Sequence, residues 1–155
     1  MTGAGPDTPG KPRSHGRLKV QLTTAPRDLM GAPPVLAGAW EVRIVTLFPE
    51  AFPGPLGLSV TGRALEAGLW ALQTVDLRGF GIGRHRTVDD TPAGGGAGMV
   101  LRADVVDAAL QAAARGTPAD RARWPVIALS PRGAPLTQAT AQRLAAAEGL
   151  TLLCG

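Results

Sequence analysis

Several features are missing from this 155-residue sequence, and each absence excludes a class of protein. A single cysteine excludes a disulfide scaffold and a zinc site built from cysteines, and no other metal site is predicted. No apolar run approaches the roughly 20 residues of a membrane-spanning helix, so we expect no membrane partner. The first residues lack the apolar segment of a secretory signal. These absences predict a cytoplasmic protein.

The residues that are present favour a folded domain. Hydrophobic residues make up 45% of the chain, which is enough to build a core and argues against disorder throughout. The formal net charge is +4, and residues 1–39 carry +3 of it, from five basic and two acidic side chains. The basic excess is therefore only a weak indication of a nucleic-acid partner. The 14 arginines against 2 lysines are explained more simply by biased genomic composition.

Residues 1–39 differ in composition from the rest of the chain. They contain six glycines and six prolines, and both residue types oppose a packed element. A strand-like alternation at 18–22 has no evident pairing partner. We expect 1–39 to be a disordered extension, or to precede the true start of the protein. A basic arm that touches RNA is the alternative, and 40–155 is the predicted domain.

From Trp40 onward, apolar runs alternate with helical patterns. The apolar and β-branched runs predict strands at 41–47, 69–77, 125–129 and 150–154. The helical patterns predict helices at 60–68, 103–114 and 138–148. This alternation of strand and helix is typical of an α/β fold with a parallel sheet.

The helix ends have their own signals. Ser59 and Thr137 precede helical patterns, so we expect their hydroxyls to cap the first turns. Gly68, Gly116 and Gly149 are the expected ends of the three helices. Segment 78–98 is too polar and too rich in glycine to predict a regular element.

The loop at 84–99 has the most unusual chemistry in the chain. Two arginines and a histidine precede two aspartates, and four glycines follow within five positions. One guanidinium group can bind two phosphate oxygens at once, and glycine lets backbone N–H groups approach an anion. The spacing fits neither a Walker loop nor a dinucleotide-binding fingerprint. The loop therefore predicts a phosphate or RNA contact, with a mobile surface loop as the alternative.

A second candidate site follows the third predicted strand. Ser130, Pro131 and Gly133 form a tight bend at the carboxyl end of that strand, which is where parallel sheets bind ligands. Such a bend can present backbone groups to an adenine. An ordinary β–α turn is the simpler interpretation of these residues alone.

Taken in order, several segments resemble the bacterial tRNA (guanine-N1)-methyltransferase family of the SPOUT superfamily. The resemblance covers about 41–155 and rests on TLFPEAF at 46–52, RHRTVDD at 84–90, GGGAGM at 94–99, LSP at 129–131 and LLCG at 152–155. It implies a parallel-sheet α/β fold with a trefoil knot and a homodimer in the cytoplasm. It also implies transfer of a methyl group from S-adenosylmethionine to N1 of the guanine just 3′ of the tRNA anticodon.

The resemblance assigns residues to the cofactor and to the RNA. The segments that match the family's cofactor pocket contain Ala128, Leu129, Ser130, Pro131, Gly133 and Gly155. The segment that matches its active-site loop contains the candidate RNA or active-site contacts Arg84, His85, Arg86, Asp89, Gly94, Gly95, Gly96 and Gly98.

The family sequence continues past the matched region into the segment that completes the knot, the proposed general base and a C-terminal tRNA-binding domain. We therefore expect 40–155 to be the N-terminal part of the methyltransferase domain, with the base beyond Gly155 and the chain inactive by itself. Two alternatives stay open. One is a non-catalytic RNA-binding or dimerising remnant, and the other is an α/β module that binds a phosphate or nucleotide.

Overall fold

A computed structural model describes residues 38–155 of the chain. The predictions of disorder and of a basic arm within 1–39 therefore fall outside the described residues, apart from the last two positions. In the described part, the four predicted strands and three predicted helices alternate as the sequence predicts, and two further short strands lie between the second predicted strand and the second helix. The elements are β1 (Trp40–Thr46), α1 (Ser59–Glu66), β2 (Trp70–Asp76), β3 (Asp89–Asp90), β4 (Val100–Leu101), α2 (Ala103–Ala113), β5 (Val126–Ala128), α3 (Gln138–Ala145) and β6 (Gly149–Cys154). None of these helices has both the length and the apolar character to cross a membrane.

Four of the strands form one parallel sheet in the order β2-β1-β6-β5. Val45 at the middle of the sheet pairs with Val75 of β2 on one side and with Leu153 of β6 on the other. The predicted parallel α/β fold is thus confirmed. Because all four strands run the same way, their carboxyl ends lie along one edge.

Each face of the sheet carries an apolar cluster, as the alternation along the strands requires. On one face, Val45 and Leu77 are fully buried against Val105 and Ala109 of α2. On the other face, Val42 and Ile44 of β1 pack with Leu150 of β6. This second cluster borders an apolar cavity of about 350 Å³ that Trp40, Trp70 and residues after β1 also line.

A polar and aromatic cluster joins the amino-terminal side of the sheet to the end of α2. Arg43 donates from one Nη to the carbonyls of Ala113 and Arg115, at 2.6 Å each. Its guanidinium also lies 5.3 Å from the ring centroid of Trp124. The ring is 5% exposed, and its Nε1 donates to the hydroxyl of Thr151 at 3.0 Å. The cluster supplies donors to carbonyls that the end of a helix leaves unpaired.

Of the five helix-end predictions, those for Thr137 and Gly68 are confirmed, those for Ser59 and Gly149 are wrong, and Gly116 lies three residues beyond the end of α2 with a left-handed φ of 76°. Thr137 caps α3, because its hydroxyl accepts a hydrogen bond from the Thr140 N–H at 3.2 Å. Gly68 follows α1 with a left-handed φ of 71°, as a terminating glycine does. Ser59 is not a cap: it is the first residue of α1, Leu58 occupies the cap position, and no side chain bonds there.

Gly149 does not end a helix either, because α3 ends at Ala145 and Gly149 begins β6. The reason is a close approach that the sequence pattern does not show. A Cβ built on Gly149 would lie 2.6 Å from the Trp124 ring and 2.3 Å from the Glu41 carbonyl oxygen. Glycine is needed there for packing between β1 and β6, not for a turn.

Candidate functional site at the carboxyl edge of the sheet

The predicted cofactor residues after β5 form a tight turn. The Gly133 N–H donates to the Ser130 carbonyl at 3.0 Å, and the Arg132 N–H donates to the Ser130 hydroxyl at 3.2 Å. The Leu129 N–H still bonds the Leu153 carbonyl of β6 at 3.0 Å, so the turn starts directly at the sheet edge. The side chain of Leu129 is 58% exposed. The turn therefore places an apolar surface beside backbone polar groups.

Gly155 lies at the same edge, one residue beyond β6. A Cβ built on it would lie 2.7 Å from Cδ1 of Leu101, so β4 approaches the end of β6 closely. Since Leu101 follows the glycine-rich segment, this contact joins two regions that the sequence places far apart. The strand that follows the loop predicted for RNA or the active site thus lies against Gly155, one of the residues predicted for the cofactor.

The segment 82–87 forms a small hairpin. Ile82 and Thr87 exchange both of their backbone hydrogen bonds at 3.0 Å each, and the Arg86 N–H donates to the Gly83 carbonyl at 3.2 Å. Arg86 adopts a left-handed φ of 49°, which is uncommon for a residue with a side chain. Arg84, His85 and Arg86 are all exposed. Within residues 38–155, their side chains make no hydrogen bond or ion pair, so their donors are available to a ligand.

The glycine loop, residues 91–99, is closed at its base by two short strands. β3 and β4 pair antiparallel, Asp89 with Leu101 and Asp90 with Val100. Val88, just before β3, is 5% exposed and belongs to the core beneath α2. The prediction that 78–98 lacks a regular element is therefore wrong at Asp89–Asp90, which pair with β4 beside the buried Val88, whereas 91–98 form no helix or strand. A 3-10 turn at Leu77–Phe80 also falls in this segment.

The glycines of the loop have backbone conformations that other residues rarely adopt. Gly94, Gly95, Gly96 and Gly98 have φ values of 87°, 80°, 129° and 96°. No heavy atom lies within 4 Å of a Cβ built on any of the four. Any side chain here would be strained by φ and would project into the open space at the loop surface. The glycines thus leave the loop backbone accessible to a ligand.

Sequence reasoning missed the role of Arg102. Its Nη2 lies 2.8 Å from Oδ2 of Asp104 and its Nε 3.2 Å from Oδ1, while Nη1 lies 3.5 Å from the Asp90 carboxylate. The hydrogen bond between the two side chains raises the pKa of Arg102 and lowers the pKa of Asp104 below its ordinary value. The available signal was an arginine two residues before the first acidic residue of a predicted helix.

The two aspartates of the loop differ in their contacts. Asp90 accepts a hydrogen bond from the Thr91 N–H at 2.8 Å and faces Arg102. Asp89 is half-buried, and its carboxylate has no hydrogen-bond or ion-pair partner within residues 38–155. Among the described residues, Asp89 is therefore the loop carboxylate that is available to a ligand.

Comparison with known proteins identifies the family. Residues 40–155 match the sequence profile of the tRNA (Guanine-1)-methyltransferase TrmD family. A curated tRNA (guanine-N(1)-)-methyltransferase of Cereibacter sphaeroides (strain KD131) is 72% identical over 121 residues, which are 78% of this chain and 49% of that protein. The protein of the same description from Jannaschia sp. (strain CCS1) is 64% identical over 122 residues, 79% of this chain and 49% of its own length.

A more distant relative of the same description, from Bradyrhizobium diazoefficiens, is 55% identical over 116 residues, 75% of this chain and 45% of its own length. The chain thus spans about half the length of the curated relatives that it matches. The matched region contains the parallel sheet, the turn after β5, the hairpin and the glycine loop. On this match, the chain belongs to the tRNA (guanine-1)-methyltransferase family.

Proposed function

We propose that this chain supplies the cofactor edge and the RNA-binding loop of a tRNA methyltransferase. The reaction is transfer of a methyl group from S-adenosylmethionine to N1 of the guanine just 3′ of the anticodon. The proposal includes a homodimer with a trefoil knot, in the cytoplasm, as the family resemblance implies. The observation that carries it is that the Ser130 turn starts at the carboxyl edge of the sheet, where Gly155 also lies against Leu101 at the base of the glycine loop.

The residues at this edge suit S-adenosylmethionine, which supplies an activated methyl group on a sulfonium. An adenine needs an apolar surface for its face and backbone groups for its edge. The exposed Leu129 side chain provides the first, and the turn at Ser130–Gly133 provides the second. The turn is already held by its own hydrogen bonds, so little ordering is required on binding.

The hairpin at 82–87 suits a polyanion. Arg84 and Arg86 are exposed and have no partner within the described residues, so binding a phosphate would break no internal ion pair. A guanidinium binds a phosphate through two parallel hydrogen bonds. We assign these arginines and His85 to the tRNA backbone or to the target nucleotide.

The chemistry also requires a proton acceptor, because N1 of guanine carries a proton. Asp89 is placed in the loop without a partner, whereas Asp90 is occupied by Arg102. We assign Asp89 to a contact with an edge of the target guanine, and not to the role of proton acceptor. No residue of 40–155 is assigned as the catalytic base, which the resemblance places in family sequence that follows the matched region.

The test has two arms. The first measures binding of labelled S-adenosylmethionine and unmodified tRNA to the purified 155-residue chain. The second replaces the matching region of the Cereibacter sphaeroides relative with residues 40–155 and measures N1-methylguanine in digested tRNA. We expect methylation by the chimera. A transcript with adenine at the target position should not be methylated, and methylation at another position would contradict the assignment.

Three variants of the chimera assign the loop. Arg86→Ala should lower tRNA affinity by about 1–3 kcal/mol, because a charged hydrogen-bonding group is lost. Gly95→Val should lower turnover, because a β-branched residue is strained at φ of 80°. Arg115→Ala is the matched control, since its side chain is exposed at the opposite side of the sheet. Wild-type turnover in both loop variants would indicate that the loop is only a surface connector.

The alternatives predict different results. Binding of tRNA by a chimera that transfers no methyl group would favour an RNA-binding role. Binding of inorganic phosphate or a nucleotide without affinity for tRNA would favour a phosphate-binding module.

A further inference from the structure

The glycine loop has no side chains that anchor its tip, so its position depends on its two ends. At the base, β3 and β4 pair, and the Arg102 N–H donates to the Val88 carbonyl at 2.9 Å. Inside the loop, the Gly95 N–H donates to the Pro92 carbonyl at 2.9 Å. Two-residue strands are marginal by themselves, since few hydrogen bonds oppose the chain entropy of opening. Additional contacts are needed to hold the base closed.

The side chain of Arg102 provides such contacts. It follows β4 directly, and its guanidinium lies between a carboxylate at the start of the loop, Asp90, and one in the first turn of α2, Asp104. The contact to Asp104 uses two guanidinium nitrogens and both carboxylate oxygens, an arrangement with fixed geometry. Because α2 packs on the sheet through Val105 and Ala109, this pair ties the base of the loop to the rigid part of the fold.

The same point of the chain faces the proposed cofactor edge. Leu101 precedes Arg102 and lies against Gly155, as the 2.7 Å approach to a Cβ built there shows. Movement of the loop base would therefore change the gap between β4 and the end of β6. We name Asp90, Arg102 and Asp104 the loop-end cluster.

We propose that Arg102 is a positioning residue, which holds the base of the glycine loop closed beside the carboxyl edge of the sheet through Asp90 and Asp104. This inference rests on the proposed function only for its consequence, which is tighter binding of the cofactor. Its structural part, the holding of the loop base, stands by itself. The cluster is solvent-exposed, so its effect on the loop is modest and local.

The experiment measures amide hydrogen exchange by NMR in the 155-residue chain. The reporters are the Gly95 and Arg102 amides, whose hydrogen bonds close the loop and its base. In Arg102→Met, which keeps the length of the aliphatic part, both amides should exchange about twofold to fivefold faster. Arg102→Lys should restore part of the protection, because one cation remains between the carboxylates.

Two matched controls separate the cluster from general charge effects. Arg123 pairs with Glu148 in another exposed ion pair, with Nε 2.6 Å from the carboxylate, and Arg123→Met should leave the loop amides unchanged. Asp104→Asn should act like Arg102→Met. Asp107→Asn, one turn further along α2, removes the same charge and should leave the exchange of the loop amides unchanged.

The consequence of the proposal is tighter binding of the cofactor. It is tested by the binding of labelled S-adenosylmethionine and, in the chimera, by whether a change falls on KM or on kcat. Arg102→Met should raise the dissociation constant and KM about twofold to fivefold and leave kcat nearly unchanged. Unchanged exchange at Gly95 and Arg102 in both Arg102→Met and Asp104→Asn overturns the proposal. Exchange at these amides can become faster in the variants although neither the variants nor the wild type bind S-adenosylmethionine. In that case the positioning role of Arg102 is supported and the proposed function fails.

Discussion

Arginines at the two sides of the sheet differ in the partners that they have. On the amino-terminal side, Arg43 bonds two carbonyls at the end of α2, pairs with Glu41 at 2.7 Å and lies over Trp124. On the carboxyl side, Arg84 and Arg86 are exposed and have no polar partner within residues 38–155. Arg43 thus has its donors used inside the fold, whereas Arg84 and Arg86 have their donors available.

The difference separates structural roles from binding roles. An arginine whose hydrogen bonds are satisfied inside the fold would leave carbonyls unpaired if it turned to a ligand, so its removal costs stability. An exposed arginine has only water to displace, and its removal costs little stability. Substitutions on the two sides should therefore divide between effects on folding and effects on binding, and five predictions test this division.

The largest effect on stability is expected for Trp124→Ala. The ring is 5% exposed, contacts Gly149, lies beneath Arg43 and donates to Thr151. Its loss should lower the free energy of unfolding by about 3–5 kcal/mol. Urea denaturation measures this, and Trp70→Ala is the control, because Trp70 is only partly buried beside the open apolar cavity. Equal losses in the two variants would contradict the special role of the amino-terminal side.

The second largest effect on stability is expected for Arg43→Met. The substitution keeps the apolar stem but leaves the carbonyls of Ala113 and Arg115 without their donor, so we expect a loss of about 1–3 kcal/mol in the free energy of unfolding. Arg86→Met should change it by less than about 0.5 kcal/mol. A similar melting temperature for both variants would remove the contrast between the two sides.

Thr137→Ala tests the N-terminal cap of α3, which lies on the carboxyl side of the sheet. Loss of the cap of α3 should lower the free energy of unfolding by about 1 kcal/mol. Ser59→Ala is the matched control, since Ser59 makes no capping bond and its substitution should cost less than about 0.5 kcal/mol. Thermal unfolding of both variants distinguishes an observed cap from one inferred from sequence alone.

Arg86→Gly sharpens the comparison, because stability and binding should move in opposite directions. Glycine suits the left-handed φ of 49° at this position, so the free energy of unfolding should rise by up to about 1 kcal/mol. Affinity for tRNA should fall, since the guanidinium is lost. A fall larger than the roughly 1 kcal/mol that the chain entropy of glycine can cost would mean that Arg86 has a structural role like that of Arg43.

The smallest effect concerns Cys154, at the end of β6. Burial raises the pKa of its thiol above the ordinary value of 9.0. The folded state thus favours the neutral thiol, and this contribution to stability is lost as the pH rises through the raised pKa. The free energy of unfolding should fall slightly more between pH 8 and pH 10 in the wild type than in Cys154→Ala. Equal pH profiles would show that the thiol is solvated.

Much of the fold could be predicted because its signals are local. The four strands of the sheet are apolar runs that end at turns, and the Thr137 cap needs only a hydroxyl before a helix. Ser59 carries the same local signal and does not cap, because Leu58 occupies the cap position. For the candidate site, the residue types and their order indicated the loop at 84–99 and the turn after β5, but not that 82–87 forms a hairpin.

The sequence by itself determined the α/β class, the apolar strands and the segments that can carry chemistry, because residue type and period act over a few positions. Only the tertiary structure decided that Gly149 packs on Trp124, that Gly155 meets Leu101, and that Arg102 bridges Asp90 and Asp104. It also separated Arg43, with its donors used, from Arg84 and Arg86. These outcomes depend on contacts between residues distant in the chain or on the path of a loop, which local propensity and periodicity do not encode.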